Sequence, residues 1–322
     1  APLEAYLALR MDGSGALPEA GIEKEQRMTA HSDQLAQQSL LGLTIGDQFG
    51  ESFFIGEEAA RAHIQSRKLP ERAWRYTDDT AMAISIVRSM DRKGRIDPDR
   101  LAMSFASAYR EDTVRGYGAS THQVLGNILA GVPWRFAASS LYNGTGSMGN
   151  GAAMRAAPIG AYHWDQPKRA AEEAETSAMV THSHPEGIAG AIAVAVCASI
   201  LTTMRMEKRE IPAGDILRQV CAHTPMGATR QRIASACDMG SFEEAAQTLG
   251  NGRDCLSQDT VPYCLYCVAH SYASYEEALW HTVSALGDRD TTCAIVGGIV
   301  VLYDDAIPAQ WLQRAERINI RP

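Results

Sequence analysis

The chain has no excess of basic charge. Its 322 residues include 30 Lys and Arg against 38 Asp and Glu, which gives a net charge of −8. Non-specific binding of nucleic acid depends on clustered Lys and Arg side chains that neutralise phosphates. We therefore expect no nucleic-acid partner.

The sequence also lacks the marks of a secreted or membrane protein. Its start has no basic segment followed by a continuous apolar one, so we expect no signal peptide. The longest uncharged run, 187–204, is marginally long enough to span a bilayer and is rich in Ala and Gly, so we expect a buried helix and no membrane partner. The seven cysteines are scattered and odd in number, which favours reduced thiols and a cytoplasmic protein.

A second Cys-x-x-Cys pair is missing as well. The pair Cys264 and Cys267 has the spacing of a zinc or redox motif. Such motifs occur as two pairs around zinc, or next to a βαβ unit in redox proteins, and neither context is present. We expect no metal or redox role for this pair.

Alternating strand patterns are scarce, and helical patterns take their place. Met82, Ala83, Ile86, Val87 and Met90 fall on one face of a helix. Segments 101–109, 121–130, 188–204, 214–222, 242–249 and 275–286 read likewise. The β-branched segment 294–303 is compatible with a buried strand, but we predict a helix capped by Asp290 or Thr291. The predicted fold class is all-α.

Residues 1–33 differ in composition from the rest. They are rich in Gly, Pro and charged residues, which predicts an extension that is flexible or folds on a partner. Met28 offers an alternative start, in which case residues 1–27 are not native. We expect the main domain to comprise residues 34–322.

Two clusters of Asp and Thr each lead into an apolar helical segment: TDDT at 77–80 and GDRDTT at 287–292. Helix capping explains one Asp or Thr per helix, but two carboxylates together are costly unless a positive charge neutralises them. Asp and Thr oxygens are typical ligands of hard divalent cations. If the clusters meet, four carboxylates balance two such cations, and we favour metal binding over capping alone.

Four further segments are candidates for ligand contact. The glycine-rich segment 144–151 can bring its backbone N–H groups close to a phosphate, although it is not a P-loop and a tight turn is an equal alternative. The segment THSHP at 181–185 favours contact with a substrate over a surface loop. GDQFG at 46–50 and RGYG at 115–118, each taken alone, predict ordinary turns.

Taken together and in this order, GDQFG, TDDT, RGYGAS, GNGAAMR, THSH and GDRDTT resemble the motifs of the ADP-ribosylglycohydrolase family, over about residues 34–305. The resemblance implies an orthogonal multi-helix bundle with a binuclear metal cleft that binds two divalent cations, Mg²⁺ or Mn²⁺. It implies a hydrolase that removes ADP-ribose from modified protein side chains, commonly arginine and in some members serine, and so reverses an ADP-ribosyltransferase. The implied metal ligands are Thr77, Asp78, Asp79, Asp288, Asp290 and Thr291.

The resemblance also implies residue roles. The 144–151 loop would hold the diphosphate through its backbone N–H groups. The implied substrate-binding residues are Gly116, Tyr117, Gly118, Ser147, Met148, Gly149, Asn150, Gly151 and His182. The candidate catalytic carboxylates are Asp78, Asp79, Asp290 and Glu51, and the sequence leaves open which of them is the base.

Two departures from the family pattern bear on specificity. Many members carry Glu where this chain has Phe54, and Glu51 is the nearest carboxylate. That Glu is prominent in serine-specific members, so its absence favours an arginine linkage. Arg289 separates the two C-terminal aspartates, and alternation predicts that it points away from the metals, toward the substrate or the target protein.

Two other functions stay open at this point. An immunity-type protein could bind a cognate ADP-ribosyltransferase through residues 1–33, and a hydrolase could act on free ADP-ribose derivatives. The intact aspartates favour the enzyme, because a pure binding protein has no need to maintain buried like charges. The expected partner is an ADP-ribosylated protein.

Overall fold

Helices form the regular structure of the described residues. The computed structural model describes the backbone of residues 18–318 and the side chains of residues 28–318. The helices are α1 (Pro18–Ser52), α2 (Glu57–Gln65), α3 (Asp78–Ser89), α4 (Pro98–Glu111), α5 (Ala119–Leu129), α6 (Trp134–Ser139), α7 (Leu141–Gly144), α8 (Ala157–Tyr162), α9 (Pro167–Met179), α10 (Pro185–Met206), α11 (Ala213–His223), α12 (Ala228–Ser235), α13 (Phe242–Leu249), α14 (Ser257–Ser271), α15 (Tyr275–Ser284), α16 (Arg289–Val300) and α17 (Ala309–Arg314), with 3₁₀ turns at Asn150–Ala152 and Ala236–Asp238. Between residues 18 and 318, β pairing is confined to two isolated bridges, Met90 with Ile96 and Gly149 with Leu256. The predicted all-α class is confirmed.

Helices α1 and α16 form the most extensive helix pair, and glycines allow their backbones to touch. Gly42, Gly46 and Gly50 follow one another at intervals of four residues on α1. A Cβ atom on Gly46 would lie 2.1 Å from the carbonyl oxygen of Cys293, and one on Gly50 would lie 2.0 Å from that of Arg289. Small residues at this spacing make a flat helix face that a second backbone can approach.

This packing corrects one prediction. The GDQFG segment lies inside α1 and is not a turn. Its glycines are required for the close approach of α16, and neither has a positive φ.

The segment 294–303 is helical up to Val300, as predicted, but its cap is different. Asp288 precedes the first helical residue and forms no side-chain cap bond, whereas Asp290 and Thr291 lie inside the first turn. The prediction that Asp290 or Thr291 caps α16 is therefore wrong by two or three residues, because the backbone becomes helical immediately after Asp288.

The apolar helix α10 crosses the core. Among the described residues it is the helix long and apolar enough to span a membrane by length and composition. Its most apolar window is 89% buried inside the protein, by packing that includes α8, α9 and α14. The prediction of a buried helix over 187–204 is confirmed.

The predicted boundary after residue 33 falls inside α1. The ring of His31, two residues before that boundary, packs edge-on against Trp164 with 6.1 Å between ring centroids. Residues 1–17 lie outside the described part of the chain, so the predicted partner-binding role of residues 1–33 stays a prediction.

Candidate active site

The first aspartate cluster is the start of helix α3. The hydroxyl of Thr77 accepts a hydrogen bond from the backbone N–H of Asp79, which caps the helix. The backbone N–H of Asp78 donates to the carbonyl oxygen of Arg115 at 2.7 Å, which ties the loop before α5 to this helix start. Capping therefore accounts for Thr77 but leaves the carboxylates of Asp78 and Asp79 unexplained.

Asp47 lies beneath this helix start and is fully buried. It accepts hydrogen bonds from the backbone N–H of Thr77 at 2.9 Å and from that of Thr80 at 3.3 Å, and both threonine hydroxyls also bond to it. Asp47 thus fixes α3 against α1. Asp47 is not among the predicted site residues, because the GDQFG segment taken alone predicts a turn. The Gly-Asp pair at the end of an apolar stretch was the one sequence feature that could have indicated it.

The second aspartate cluster is the start of helix α16. The side-chain amide of Asn150 donates to Asp288 at 2.7 Å and to the hydroxyl of Thr260 at 3.1 Å. The backbone N–H of Asp288 donates to the carbonyl oxygen of Asn251 at 3.2 Å. Asn150 is therefore a tether between the glycine-rich loop and the second cluster as well as a cavity-lining residue.

The two clusters meet because α1 and α16 are in backbone contact. Burial, followed by the charges of Asp47, Asp290, Asp78 and Asp288, raises the pKa of Asp79 well above its usual range. Burial and the charge of Asp290 likewise raise the pKa of Asp78 to about 8, with the buried Arg155 acting in the opposite direction. Side chains about two hundred residues apart in sequence thus act on one another electrostatically.

The arrangement leaves negative charge and lone pairs unsatisfied. The Oδ1 atoms of Asp79 and Asp290 are buried without a hydrogen-bond partner in the described residues. The hydroxyl of Thr77 lies 2.9 Å from both Asp47 and Asp79, although its single hydrogen can serve one of them. Buried carboxylates in this state are stabilised by a cation.

The donor set fits a hard divalent cation, because it consists of carboxylate and hydroxyl oxygens. Over residues 28–318, however, no three acidic, His or Cys side chains are already arranged as a set of metal ligands.

A cavity of about 460 Å³ opens beside the two clusters. It is lined by both helix starts, the glycine-rich loop, the start of α5 and the segment 254–256. The predicted site residues among its lining are Asp78, Asp79, Gly116, Gly118, Ser147, Met148, Gly149, Asn150, Gly151, His182, Asp288, Asp290 and Thr291. The fold thus brings most of the predicted site residues to one cavity.

The glycine-rich loop is held by the segment that precedes α14. The carbonyl oxygen of Met148 accepts from the backbone N–H of Ser257 at 2.9 Å, and the backbone N–H of Asn150 donates to Cys255 at 3.0 Å. The N–H of Gly149 donates to the hydroxyl of Ser147 at 3.1 Å. The N–H groups of Gly149 and Asn150 are therefore already in use, and a phosphate would have to bind through other donors of the loop.

Tyr117 does not line the inner cavity, unlike its neighbours Gly116 and Gly118. Its buried ring packs against Tyr109 and His122, with 5.1 Å and 6.0 Å between centroids. The two glycines line the cavity on either side of it. Tyr117 therefore supports the wall of the cavity from behind.

A second, outer cavity of about 680 Å³ adjoins the first. Gly116 and Asp290 line both cavities, and Glu51 lines the outer one. Arg72 forms a 2.8 Å ion pair with Glu51 and donates to the carbonyl oxygen of Phe54 at 2.9 Å. Burial and the charge of Asp290 raise the pKa of Glu51, while Arg72 lowers it.

Arg289 points away from both clusters, as predicted, but toward the protein itself. Its guanidinium donates to the carbonyl oxygen of Phe53 at 2.8 Å and lies over the ring of Phe54, 4.7 Å from the centroid. The expectation of a contact with the substrate or target therefore gives way to a structural contact with the end of α1.

The remaining candidates are accounted for structurally. Cys264 and Cys267 are buried in α14, where burial raises the pKa of both thiols, so they lack the exposed thiolate of a redox or zinc site. All seven cysteines are free. The second histidine of THSHP, His184, caps α10 by accepting from the backbone N–H of Glu186 at 3.1 Å.

Comparison with known proteins finds one matching family and several relatives. A sequence model of the ADP-ribosylglycohydrolase family matches residues 28–321. Human ADP-ribosylhydrolase ARH3 is 28% identical in an alignment of 328 positions. The alignment covers 86% of this chain and 87% of that protein. The ADP-ribosyl-[dinitrogen reductase] glycohydrolase of Rhodospirillum rubrum is 27% identical over 306 residues, with 86% and 89% covered.

Two further matches support the same fold. An uncharacterized protein of Archaeoglobus fulgidus is 32% identical over 285 residues, covering 85% of this chain and 89% of its own. A solved structure of an ADP-ribosylglycohydrolase-related protein complex superposes with a TM-score of 0.61 at 23% identity, covering 89% of this chain and 94% of that one. At this level of identity the structural match supports the fold alone.

Proposed function

Because this chain belongs to the ADP-ribosylglycohydrolase family, we propose that it hydrolyses the bond between the C1″ carbon of ADP-ribose and a protein side chain. The observation that carries the proposal is the meeting of two cavities at Asp290, beside a cluster of buried carboxylates. A cavity of about 460 Å³ lies within the range of small-molecule sites, about 300–1,000 Å³. ADP-ribose would occupy this inner cavity, and the modified side chain would enter from the outer one.

The buried carboxylates would hold two divalent cations, Mg²⁺ or Mn²⁺. The orphaned oxygens of Asp79 and Asp290 support this assignment. The ligands would be Thr77, Asp78, Asp79, Asp288, Asp290 and Thr291. Bound divalent cations supply charge stabilisation at a ribose and lower the pKa of water.

The protein's own groups would bind and orient the two ends of the scissile bond. Ser147, Met148 and His182 border the inner cavity, where they would contact the diphosphate and ribose. In the reaction the C1″–N bond breaks, a water oxygen bonds to C1″, and the leaving nitrogen takes up a proton. A carboxylate at the junction of the cavities, Asp290 or its neighbours Asp78 and Asp79, would accept the proton of the water.

Glu51 supports arginine as the linkage. It lines the outer cavity, on the side where the leaving side chain would lie. Its Oε1 atom is paired with Arg72, so a substrate guanidinium would donate its hydrogen bonds to the other carboxylate oxygen. Phe54 takes the place of the Glu that the family resemblance associates with serine-linked substrates, and its side chain is partly exposed and packs against Arg289.

The test is hydrolysis of proteins carrying ADP-ribose on arginine, serine or cysteine, with Mg²⁺ or Mn²⁺ and after chelation. We expect release from arginine with either cation and loss of activity on chelation. Faster release from serine would overturn the linkage, and no release from any substrate with either cation would overturn the function. Nothing in the described residues favours the alternative of a transferase-binding protein.

A further inference from the structure

A buried guanidinium lies behind the histidine of the inner cavity without a carboxylate bonded to it in the described residues. Arg155 is 1% exposed and sits over the ring of Phe105, 4.4 Å from its centroid. Its Nη2 atom donates to the hydroxyl of Thr181 at 2.8 Å. The same hydroxyl lies 2.7 Å from Nδ1 of His182.

Hydrogen-bond counting fixes the direction of this chain. A guanidinium can only donate, so the Thr181 oxygen accepts from Arg155. The threonine then has one hydrogen left to donate, and Nδ1 of His182 is the acceptor beside it. If Nδ1 carried the hydrogen instead, the buried Thr181 hydroxyl would have no acceptor among the described residues. Nδ1 therefore accepts.

The imidazole of His182 is neutral, so an accepting Nδ1 places its one hydrogen on Nε2. The ring is 4% exposed. Burial, and then the charge of Arg155, lowers the pKa of His182 to about 3. The tautomer thus follows from the donor order of Arg155 and Thr181.

The Nε2 atom faces the glycine-rich loop of the inner cavity. A Cβ atom on Gly149 would lie 3.3 Å from Nε2, and one on Gly151 would lie 3.2 Å from Cε1. Both glycines and His182 line the cavity. Glycine at these two positions leaves the edge of the ring open to a ligand.

We infer that Arg155 and Thr181 are positioning residues that lock His182 in the Nε2–H tautomer, so that the ring donates a hydrogen bond to an oxygen of the ligand in the inner cavity. The identity of that ligand as ADP-ribose, with its diphosphate and ribose oxygens, rests on the proposed function. The lock itself is independent of the ligand.

The first experiment reads the tautomer directly in the full chain without ligand. Nitrogen chemical shifts of ¹⁵N-histidine-labelled protein distinguish Nδ1–H from Nε2–H, and the His182→Gln variant assigns the signal. We expect Nε2–H in the wild type and in Thr181→Ser, which keeps the hydroxyl. Thr181→Val, which has the same shape without the hydroxyl, should lose this preference. An Nδ1–H or protonated ring in the wild type at pH 7 overturns the inference.

The second experiment measures ADP-ribose affinity by calorimetric titration. Thr181→Val should bind about tenfold more weakly and Thr181→Ser within about twofold of the wild type, as expected for one hydrogen bond. His182→Gln, whose amide can reach the position of Nε2, should bind more tightly than His182→Asn, whose amide mimics Nδ1. Equal affinity of Thr181→Val and wild type overturns the positioning role.

The two experiments separate the inference from the proposed function. If the wild type shows the Nε2–H tautomer but binds no ADP-ribose, the proposed function fails and the lock stands. If it binds ADP-ribose with the Nδ1–H tautomer, the lock fails and the proposed function stands. Should Thr181→Val not fold, the wild-type tautomer and the His182→Gln and His182→Asn pair decide the matter.

Discussion

Replacing Gly46 by alanine tests the contact that assembles the site. The added Cβ would lie 2.1 Å from the carbonyl oxygen of Cys293, whereas ordinary contact begins at 3.4 Å. To reach ordinary contact, the two helix backbones would have to separate by about 1.3 Å, and backbones in a packed core move less easily than the end of a flexible side chain. Overpacking of a core costs about 1–3 kcal/mol, and we expect a loss of unfolding free energy at the upper end of this range or beyond.

The assay is urea unfolding followed by circular dichroism, with Gly126→Ala as the matched control. Gly126 lies inside helix α5, and nothing lies within 4 Å of a Cβ atom built on it. Alanine there should raise the unfolding free energy by about 0.5–1 kcal/mol, since it favours the helix without a clash. If Gly46→Ala unfolds at the same urea concentration as the wild type while the control behaves as expected, the close contact of α1 and α16 is wrong.

Three further predictions concern the site itself. Asp290→Asn should lower turnover by about a hundredfold or more, while its melting temperature in chelator should match or exceed that of the wild type, because one of several repelling carboxylates is neutralised. Gly151→Val should weaken ADP-ribose binding about tenfold with little loss of stability, since the new side chain displaces the ring of His182, 3.2 Å from the Cβ position. Glu51→Gln should slow release from arginine about tenfold or more without changing ADP-ribose affinity, because Glu51 lines the outer cavity.

Each of these predictions has a discriminating readout. Wild-type turnover by Asp290→Asn would refute the metal assignment, and Mg²⁺ should raise the melting temperature of the wild type more than that of this variant. Gly126→Val is the control for Gly151→Val, because Gly126 lies outside the cavity lining and nothing lies within 4 Å of its Cβ position. An equal loss of turnover on serine and arginine substrates by Glu51→Gln would remove its role in linkage choice.

Local patterns in the sequence were sufficient for eight of the helices, among them α10 and α16, and for most of the residues around the inner cavity, whereas α1, α9 and α14 were not predicted. Helical spacing of apolar residues predicts α10 and the helices of the 101–109 and 121–130 segments, because burial of one face is a local requirement. The paired carboxylates at 77–80 and 287–292 indicate a charged site whatever their position in the fold, because two like charges so close together need a neutralising partner. Both features can be read without knowing which segments meet.

The tertiary structure decided what surrounds those residues. Asp47 lies in a segment whose two glycines suggest a turn, and its role follows from the hydrogen bonds that it accepts from Thr77 and Thr80 at the start of α3. Tyr117 and Arg289 sit in predicted site motifs, yet their side chains turn to the protein interior and to the end of α1. Side-chain direction depends on the neighbours that packing supplies, and a linear pattern does not contain them.

The hydrogen-bond chain from Arg155 to His182 likewise depends partly on the local sequence and partly on the tertiary structure. The sequence places His182 in a motif typical of a ligand site, and that much is local. The donor order that sets its tautomer comes from a guanidinium 26 residues away from Thr181, buried where helices converge. The residue types were thus determined by the sequence, whereas their protonation and orientation were determined by burial and by partners that only the folded chain brings together.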